Sequence, residues 1–459
     1  MIIALDLGTT RIKAGVLGAG GAMARVVAAP APPLTGAGAV RESDPLAYER
    51  SAAGLLEGLF AGADRANVRL AIASQRGSFC LWDRQTGRPV TPLISWQDRR
   101  SEPWCIAHRD REAAIRATTG LPLSPHYAAT KLAALLAADP TLAPCLGDGR
   151  LLFGTLETYL VWQWSGGHCH HTDLTMAART LLCDPMVGRW TEALLDLFGV
   201  PNACLPVIGG SGGVTIPLRD GAMIAATLAD QAAATLAMLG DRGDATLINL
   251  GTGGFVLRPT GAALERRDGY LSGPLVAPGG RVPRFALEGT INGAGPAIDQ
   301  YGPGPTPLPE VDPAPAAFAL PDLAGIGAPH WRPDLAHRLS KAAATLDLAG
   351  RRRTTLEGLL FRVREIVDDL EADAPPHRLL LTGGLARDPA IAQGLAACLA
   401  RPVEVVDEPE ATLLGAALLA AGITDAPPPA TDTVVPGPAG AYLRAKYDHW
   451  RAWLATVLG

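Results

Sequence analysis

Thiols are few and scattered in this 459-residue chain. Cys80, Cys105, Cys145, Cys169, Cys183, Cys204 and Cys398 are odd in number and include no CxxC pair, which excludes a disulfide framework and a thiol metal site. No block of basic residues occurs, and the formal net charge is -5, so nucleic acid is not an expected partner. The longest apolar run, Leu413 to Ile423, is too short to span a bilayer, so no membrane partner is expected either. Met1 runs directly into Ile-Ile-Ala-Leu-Asp6 without a basic region or cleavage site, as in a cytoplasmic protein. What remains is a globular composition, 48% hydrophobic and 19% charged, on a chain long enough for two domains of roughly 200 residues each.

Two segments repeat one device. Ile2 to Leu7 reads as a strand, followed by the tip Gly8-Thr9-Thr10 and a return strand through Ile12, Ala14 and Val16. Ala245 to Leu250 is again an apolar strand, followed by Gly251-Thr252-Gly253-Gly254 and a return strand from Phe255. Helix and strand patterns alternate between and after them. Helices are predicted at 47–60, 112–119, 128–137, 351–371, 390–399 and 412–421, and strands at 68–73, 378–381 and 403–406. This pattern implies an α/β protein with mixed sheets. The expected division is a first domain over 1–243, a second over 244–424, and a Pro-rich linker with a docking helix over 425–459. On that helix Leu443, Tyr447, Trp450 and Leu454 form one apolar stripe, and 302–315 reads as a Gly/Pro-rich surface loop.

Four motifs carry chemistry. In Asp6-Leu7-Gly8-Thr9-Thr10, with Lys13 on the return strand, backbone N–H groups at a Gly-rich tip can converge on phosphate oxygens. Asp6 could hold Mg²⁺, an ion that takes one or two carboxylates plus waters. The tip Gly251-Thr252-Gly253 suits the outer phosphates, and the two tips together suggest a clamped nucleotide. Thr382-Gly383-Gly384-Leu385 is a strand-to-helix turn that a flat ligand or diphosphate can approach closely. Asp230-Gln231 interrupts an apolar stretch from Met223 to Leu239. A carboxylate there is the foremost candidate for the base that phosphoryl transfer to an alcohol requires, with a helix N-cap as the compatible alternative. The cluster His168-Cys169-His170-His171 has adjacent ligands, poorly spaced for one tetrahedral ion, and is not taken as a metal site.

In this order the motifs resemble the FGGY carbohydrate kinases, the family of glycerol kinase, xylulokinase, gluconate kinase and ribulokinase. The resemblance runs from Met1 to about Gly422 and includes Thr382-Gly-Gly-Leu-Ala-Arg-Asp388 and Glu410-Ala-Thr-Leu-Leu-Gly415. Further segments, among them Ser74-Gln75-Arg76, Trp96-Gln97-Asp98-Arg99-Arg100 and Ala286-Leu-Glu-Gly289, look most like the glycerol kinase branch. The resemblance implies two actin-like (ribonuclease H-like) ATPase domains with a nucleotide cleft between them. ATP would be held by Gly8, Thr9, Thr10, Lys13, Gly251, Thr252, Gly253, Gly383, Gly384 and Asp388. Mg²⁺ would lie on Asp6 and Asp230, with Asp230 also the catalytic base. A small sugar or polyol would meet Arg76, Gly77, Asp98, His126, Tyr127, Asp230 and Gln231, and a homodimer is left open. Four departures are visible: Gly77 stands where glycerol kinases carry an acid, His126 where they carry an aromatic hydroxyl before the next aromatic, here Tyr127, Asp388 where Asn is usual, and the stretch between Glu288 and Gly327 is shorter than usual. The missing carboxylate implies a roomier pocket and a substrate longer than glycerol, with Gly77→Glu shifting preference back. Glycerol kinase proper and a catalytically weak sugar-binding relative are the alternative readings.

Overall fold

The computed structural model describes residues 1–240, 243–277, 282–304, 306–424, 429 and 431–459. Its first large sheet has the strand order Gly212–Pro217, Met223–Ala229, Arg69–Ser74, Ile2–Leu7, Arg11–Leu17, Met23–Pro30. Met223–Ala229, Arg69–Ser74 and Ile2–Leu7 run parallel, and Arg11–Leu17 returns antiparallel as the second arm of the first hairpin. Parallel strands are covered on both faces and need unbroken apolar runs. Ile3, Ala4 and Leu5, like Leu70, Ala71 and Ile72, are accordingly buried.

The second sheet repeats the plan. Its order is Leu271–Val276, Arg284–Ile291, Gly254–Gly261, Ala245–Leu250, Arg378–Thr382, Val403–Val406, Thr431–Val434. Ala245–Leu250 and Gly254–Gly261 form the second hairpin, and Ala245–Leu250, Arg378–Thr382 and Val403–Val406 are parallel. Register then decides where the loops fall. Leu7 and Ala229 both pair with Ser74, so Gly8, Gln75 and Asp230 leave the first sheet along one edge. Asn249 pairs with Thr382 and Leu381 with Val405, so Gly251, Gly383 and Asp407 leave the second sheet in the same way. The carboxyl ends of parallel strands are where α/β proteins place their ligands.

Two helices join the halves. Asp230–Leu239 follows the first sheet, and Ala411–Ala421 crosses it at backbone contact, where a Cβ on Gly415 would lie 1.8 Å from the Ala233 carbonyl oxygen. Although Ala411–Ala421 follows a strand of the second sheet, its Leu413, Ala416 and Ala420 pack with Ala4, Ala71 and Ala225 of the first. Helix starts differ from the sequence reading by a few residues for a visible reason. Asp44 caps Pro45–Phe60 through the Leu46 amide, and Asp347 caps Leu348–Glu371 through the Gly350 amide.

Within the segment read as a linker, Thr431–Val434 is a strand on the edge of the second sheet, while 425–428 and 430 lie outside the described residues. Helix Gly440–Leu458 buries Leu443, Tyr447, Trp450 and Leu454 against Phe361 and its neighbours. Its buried Lys446 is matched by Glu357 at 2.7 Å and Asp312 at 3.1 Å, an arrangement that fixes the helix register. No helix among the described residues is long and apolar enough to cross a membrane.

Candidate active site

Asp230 is the first residue of its helix, directly after the strand Met223–Ala229, and it does not cap that helix. Among the described residues its Oδ1 accepts only the adjacent Gln231 amide, at 2.7 Å. Burial raises its pKa; the Arg76 guanidinium, the Gln231 amide and Arg179 pull it down, and Glu288 pushes it up again. Asp6 lies on the other side of it. Burial, then the Asp230 charge, lift Asp6 to about 7 against the attraction of Lys13. Asp6 Oδ1 is buried and has no hydrogen-bond partner among the described residues. Two close carboxylates, one with an unmatched oxygen, make a donor set that fits a divalent cation.

On another flank of Asp230 stands Arg76. This residue steps off the strand Arg69–Ser74, hydrogen-bonds Gln231 Oε1, and lies 3.5 Å from the Glu288 carboxylate. Glu288 sits on Arg284–Ile291 of the second sheet and also takes Arg179 at 2.5 Å, so one buried carboxylate from the second half bridges two guanidiniums of the first. Tyr127 is buried beside this group, where burial raises its phenol pKa against the opposing charges of Arg179 and Arg76. Burial alone would raise Glu288; Arg179 and Arg76 outweigh it and hold the carboxyl below its usual range. Arg179 and Glu288 were absent from the predicted site residues. Each stands in a motif-like segment, but their partnership spans 109 residues of sequence.

Two predicted acceptor contacts change meaning. Asp98 is fully buried and saturated by the Arg41 amide at 2.6 Å and by Arg100 Nε and Nη2 at 2.8 Å each. It organises the loop and has no oxygen left for a substrate hydroxyl. Gly77 has φ +76°, and a Cβ there would lie 2.9 Å from the His126 carbonyl oxygen. Glycine at this position is therefore required by the backbone, and the expectation that Gly77→Glu simply restores a carboxylate does not survive. His126 itself is exposed at the rim, with Nδ1 2.9 Å from the Ser124 hydroxyl. Beneath it, Lys131 donates to the carbonyls of Ser95 (2.9 Å), His126 (3.0 Å) and Gly77 (3.2 Å) and so ties three loops together. Burial pushes that ammonium down to about 7, with Asp98 opposing.

Beside Asp6 a cleft of about 330 Å³ opens between the halves, lined by Asp6, Lys13, Asn249, Gly383, Gly384 and Glu410 among others. Lys13 spans it, with its ammonium 2.8 and 3.0 Å from the two Glu410 oxygens. Gly383 has φ +96°, and a Cβ there would lie 2.3 Å from the Leu250 carbonyl, so this turn admits only glycine. The exposed Thr10 and Thr252 sit on the two tips, with Gly8, Gly251 and Gly253 beside them. Thr9 is different: its hydroxyl is engaged by Gln75 and Trp96. Asp388 caps Pro389–Leu399 through the Ala390 amide at 3.0 Å, a duty that Asn performs equally well. In the histidine cluster, His170 bonds the Phe153 carbonyl at 2.9 Å and His171 faces Thr227, so the two rings serve separate neighbours.

Residues 1–237 match the model of the FGGY family of carbohydrate kinases, N-terminal domain, and residues 246–422 match its C-terminal domain. Glycerol kinase of Methylobacterium nodulans is 32% identical over 448 residues, covering 92% of this chain and 89% of that protein. Apulose kinase of Pectobacterium atrosepticum is 32% identical over 494 aligned residues, covering 100% of this chain and 98% of that protein. The crystal structure of Plasmodium falciparum glycerol kinase with ADP has a TM-score of 0.87 at 22% identity, covering 99% of this chain and 98% of that one. A xylulose kinase structure from Brucella ovis gives 0.86, also at 22% identity, with 99% and 98% covered. These likenesses identify the two repeated halves as the actin-like ATPase domains of one fold. With both halves matched and full-length relatives at this identity, the chain belongs to the FGGY family of carbohydrate kinases.

Proposed function

We propose that Asp230 is the general base for transfer of the γ-phosphoryl group of ATP to a hydroxyl of a four- or five-carbon polyol or ketose. The observation that carries this reading is the position of Asp230. It starts its helix at the carboxyl end of Met223–Ala229, and its neighbour Gln231 lines both the cleft of Asp6 and Lys13 and the pocket of Arg76, Arg179 and Glu288. The Asp230 charge acts on Asp6 while Arg76 and Glu288 act on it, which supports a base between a nucleotide subsite and an acceptor subsite. A raised carboxyl accepts a hydroxyl proton more readily as the oxygen attacks, and Arg76 and Gln231 orient the acceptor. Mg²⁺ would be held by Asp6 and Asp230, where it would neutralise β- and γ-phosphate charge. Lys13 and the amides of the Gly8 and Gly251 tips would bind the phosphates, and approach of the two halves would exclude water.

Two observations support an acceptor longer than glycerol. The pocket has no carboxylate at Gly77, and one relative that matches the chain over its whole length is named for apulose. A charge-assisted bond to a hydroxyl is worth roughly 1.5–3 kcal/mol, which a longer acceptor can recover with its further hydroxyls. Glycerol kinase proper is the second reading, favoured by the relatives of that name. ADP release measured against glycerol, longer polyols, ketoses and aldonates tests both. Acceptor-dependent ADP release with a longer acceptor ahead in kcat/KM is expected. Glycerol ahead of every other acceptor selects the second reading, and ADP release indifferent to acceptor defeats both.

A further inference from the structure

Thr9 stands on the first phosphate tip, yet its side chain points into a closed ring of hydrogen bonds. Its hydroxyl accepts the Trp96 indole N–H at 3.0 Å and donates to Gln75 Oε1 at 3.1 Å. Ser78 Oγ donates to the same Gln75 oxygen at 3.0 Å and accepts the Trp96 backbone N–H at 3.0 Å. The orientation of the Gln75 amide follows from its other end, where Nε2 donates to the Tyr48 hydroxyl at 3.1 Å and that hydroxyl donates to the Gly8 carbonyl at 3.3 Å. Gln75 Oε1 is therefore the atom that faces Thr9, and it can only accept. A threonine hydroxyl has one proton. Given to Gln75, it leaves none for a phosphate oxygen, which needs a donor.

The ring also encloses the acceptor side. Gln75 and Ser78 bracket Arg76 and Gly77 in the chain, and Trp96 Cβ lies 3.5 Å from where a Cβ of Gly77 would be. The indole is 6.3 Å from the His126 ring, centroid to centroid. Resting on the reading of this cleft as a kinase site, we propose that the Thr9 hydroxyl is a positioning group for the acceptor pocket. It holds the Trp96 wall in place, while the backbone amides of the same tip serve the phosphates. One residue then touches the nucleotide through its main chain and shapes the acceptor pocket through its side chain.

The test is Thr9→Val, which keeps the shape and removes the hydroxyl, alongside Thr9→Ser, Trp96→Phe and the Thr9→Val/Trp96→Phe double variant. Loss of one neutral hydrogen bond should raise the acceptor KM about three- to tenfold. The affinity for a non-hydrolysable ATP analogue, read by calorimetry, should stay within about twofold, and Thr9→Ser should restore the acceptor KM. Trp96→Phe should reproduce the effect of Thr9→Val, and the double variant should add nothing beyond either single change. Weakened analogue binding in Thr9→Val makes the hydroxyl a phosphate ligand and overturns the proposal, as do additive effects or an unchanged acceptor KM. Analogue affinity is read without turnover, so a wild-type protein lacking acceptor-dependent ADP release would sink the kinase reading separately.

Discussion

Replacing Asp6 by Asn keeps the side chain's shape and removes a charge that the fold holds at a cost. In the metal-free protein burial, then the Asp230 carboxylate, move Asp6 from 3.8 to about 7, against Lys13. That rise corresponds to ~4 kcal/mol, of which water entering the cleft will screen a part, leaving about 2–4 kcal/mol. The sign follows from proton binding. An unfolded chain gives up this proton near pH 3.8, whereas the native one keeps it to about 7, so stability falls as pH rises between the two values. Above pH 7 the whole penalty is present; at pH 5 it is under ~2 kcal/mol. Urea unfolding of wild type and Asp6→Asn in a chelator should therefore show the variant more stable at pH 8, with the gap shrinking at pH 5. Adding Mg²⁺ and ATP should reverse the order, because only wild type has the carboxylate that the ion needs. Equal stability of the two proteins at pH 8 without metal would refute the placement of Asp6 as an unmatched buried charge.

Asp230→Asn should fold and bind ATP normally and lose roughly a hundredfold to ten-thousandfold in turnover; near-normal kcat would remove it from the mechanism. Wild-type kcat should decline as pH falls through the raised Asp230 value, and the variant's residual rate should lack that acid limb. At Gly251 a Cβ meets nothing within 4 Å, whereas at Gly8 it meets the Arg11 carbonyl at 2.7 Å. Gly251→Val should thus keep its melting temperature and weaken ATP binding in calorimetry, and unchanged ATP affinity would defeat the phosphate clamp. Gly77→Glu should cost about 1–3 kcal/mol in stability through its positive φ and bring no preference for glycerol. A variant of unchanged stability that now favours glycerol would show the loop to be adaptable.

The repeated hairpins, the strand-end motifs and the division into two α/β halves were legible because each is local: an apolar run, then glycine where backbone must turn. The place of Asp230 at the end of an apolar strand was legible because a lone acid in an apolar stretch stands out, while its role as base remains the proposal. Partnerships were not. Asp98 reads as a candidate ligand until Arg41 and Arg100 are seen to use both its oxygens. Glu288 acquires meaning only when the second sheet brings it to Arg76 and Arg179. Gly77 shows a subtler limit. Its missing carboxylate is visible in sequence, but the positive φ that forbids a side chain exists only in the folded loop. Thr9 was placed correctly on its tip, while the direction of its hydroxyl depended on Gln75 and Trp96, 66 and 87 residues away.

The contact between Gly415 and Ala233 does more than fix a spacing. Asp230–Leu239 and Ala411–Ala421 touch within five residues of their starts, and both starts open on the nucleotide cleft, through Gln231 on one and Ala411 and Thr412 on the other. The amino end of a helix carries roughly half a positive charge, since its first N–H groups have no carbonyl partner within the helix. Only a glycine at the crossing lets two such ends, one from each half, approach the same small volume. Under the proposed nucleotide site, a chain with a net charge of -5 would thus meet a triphosphate with converging positive potential from its own backbone. Enlarging residue 415 would spread the two helix ends and dilute that field without altering a single residue that lines the cleft.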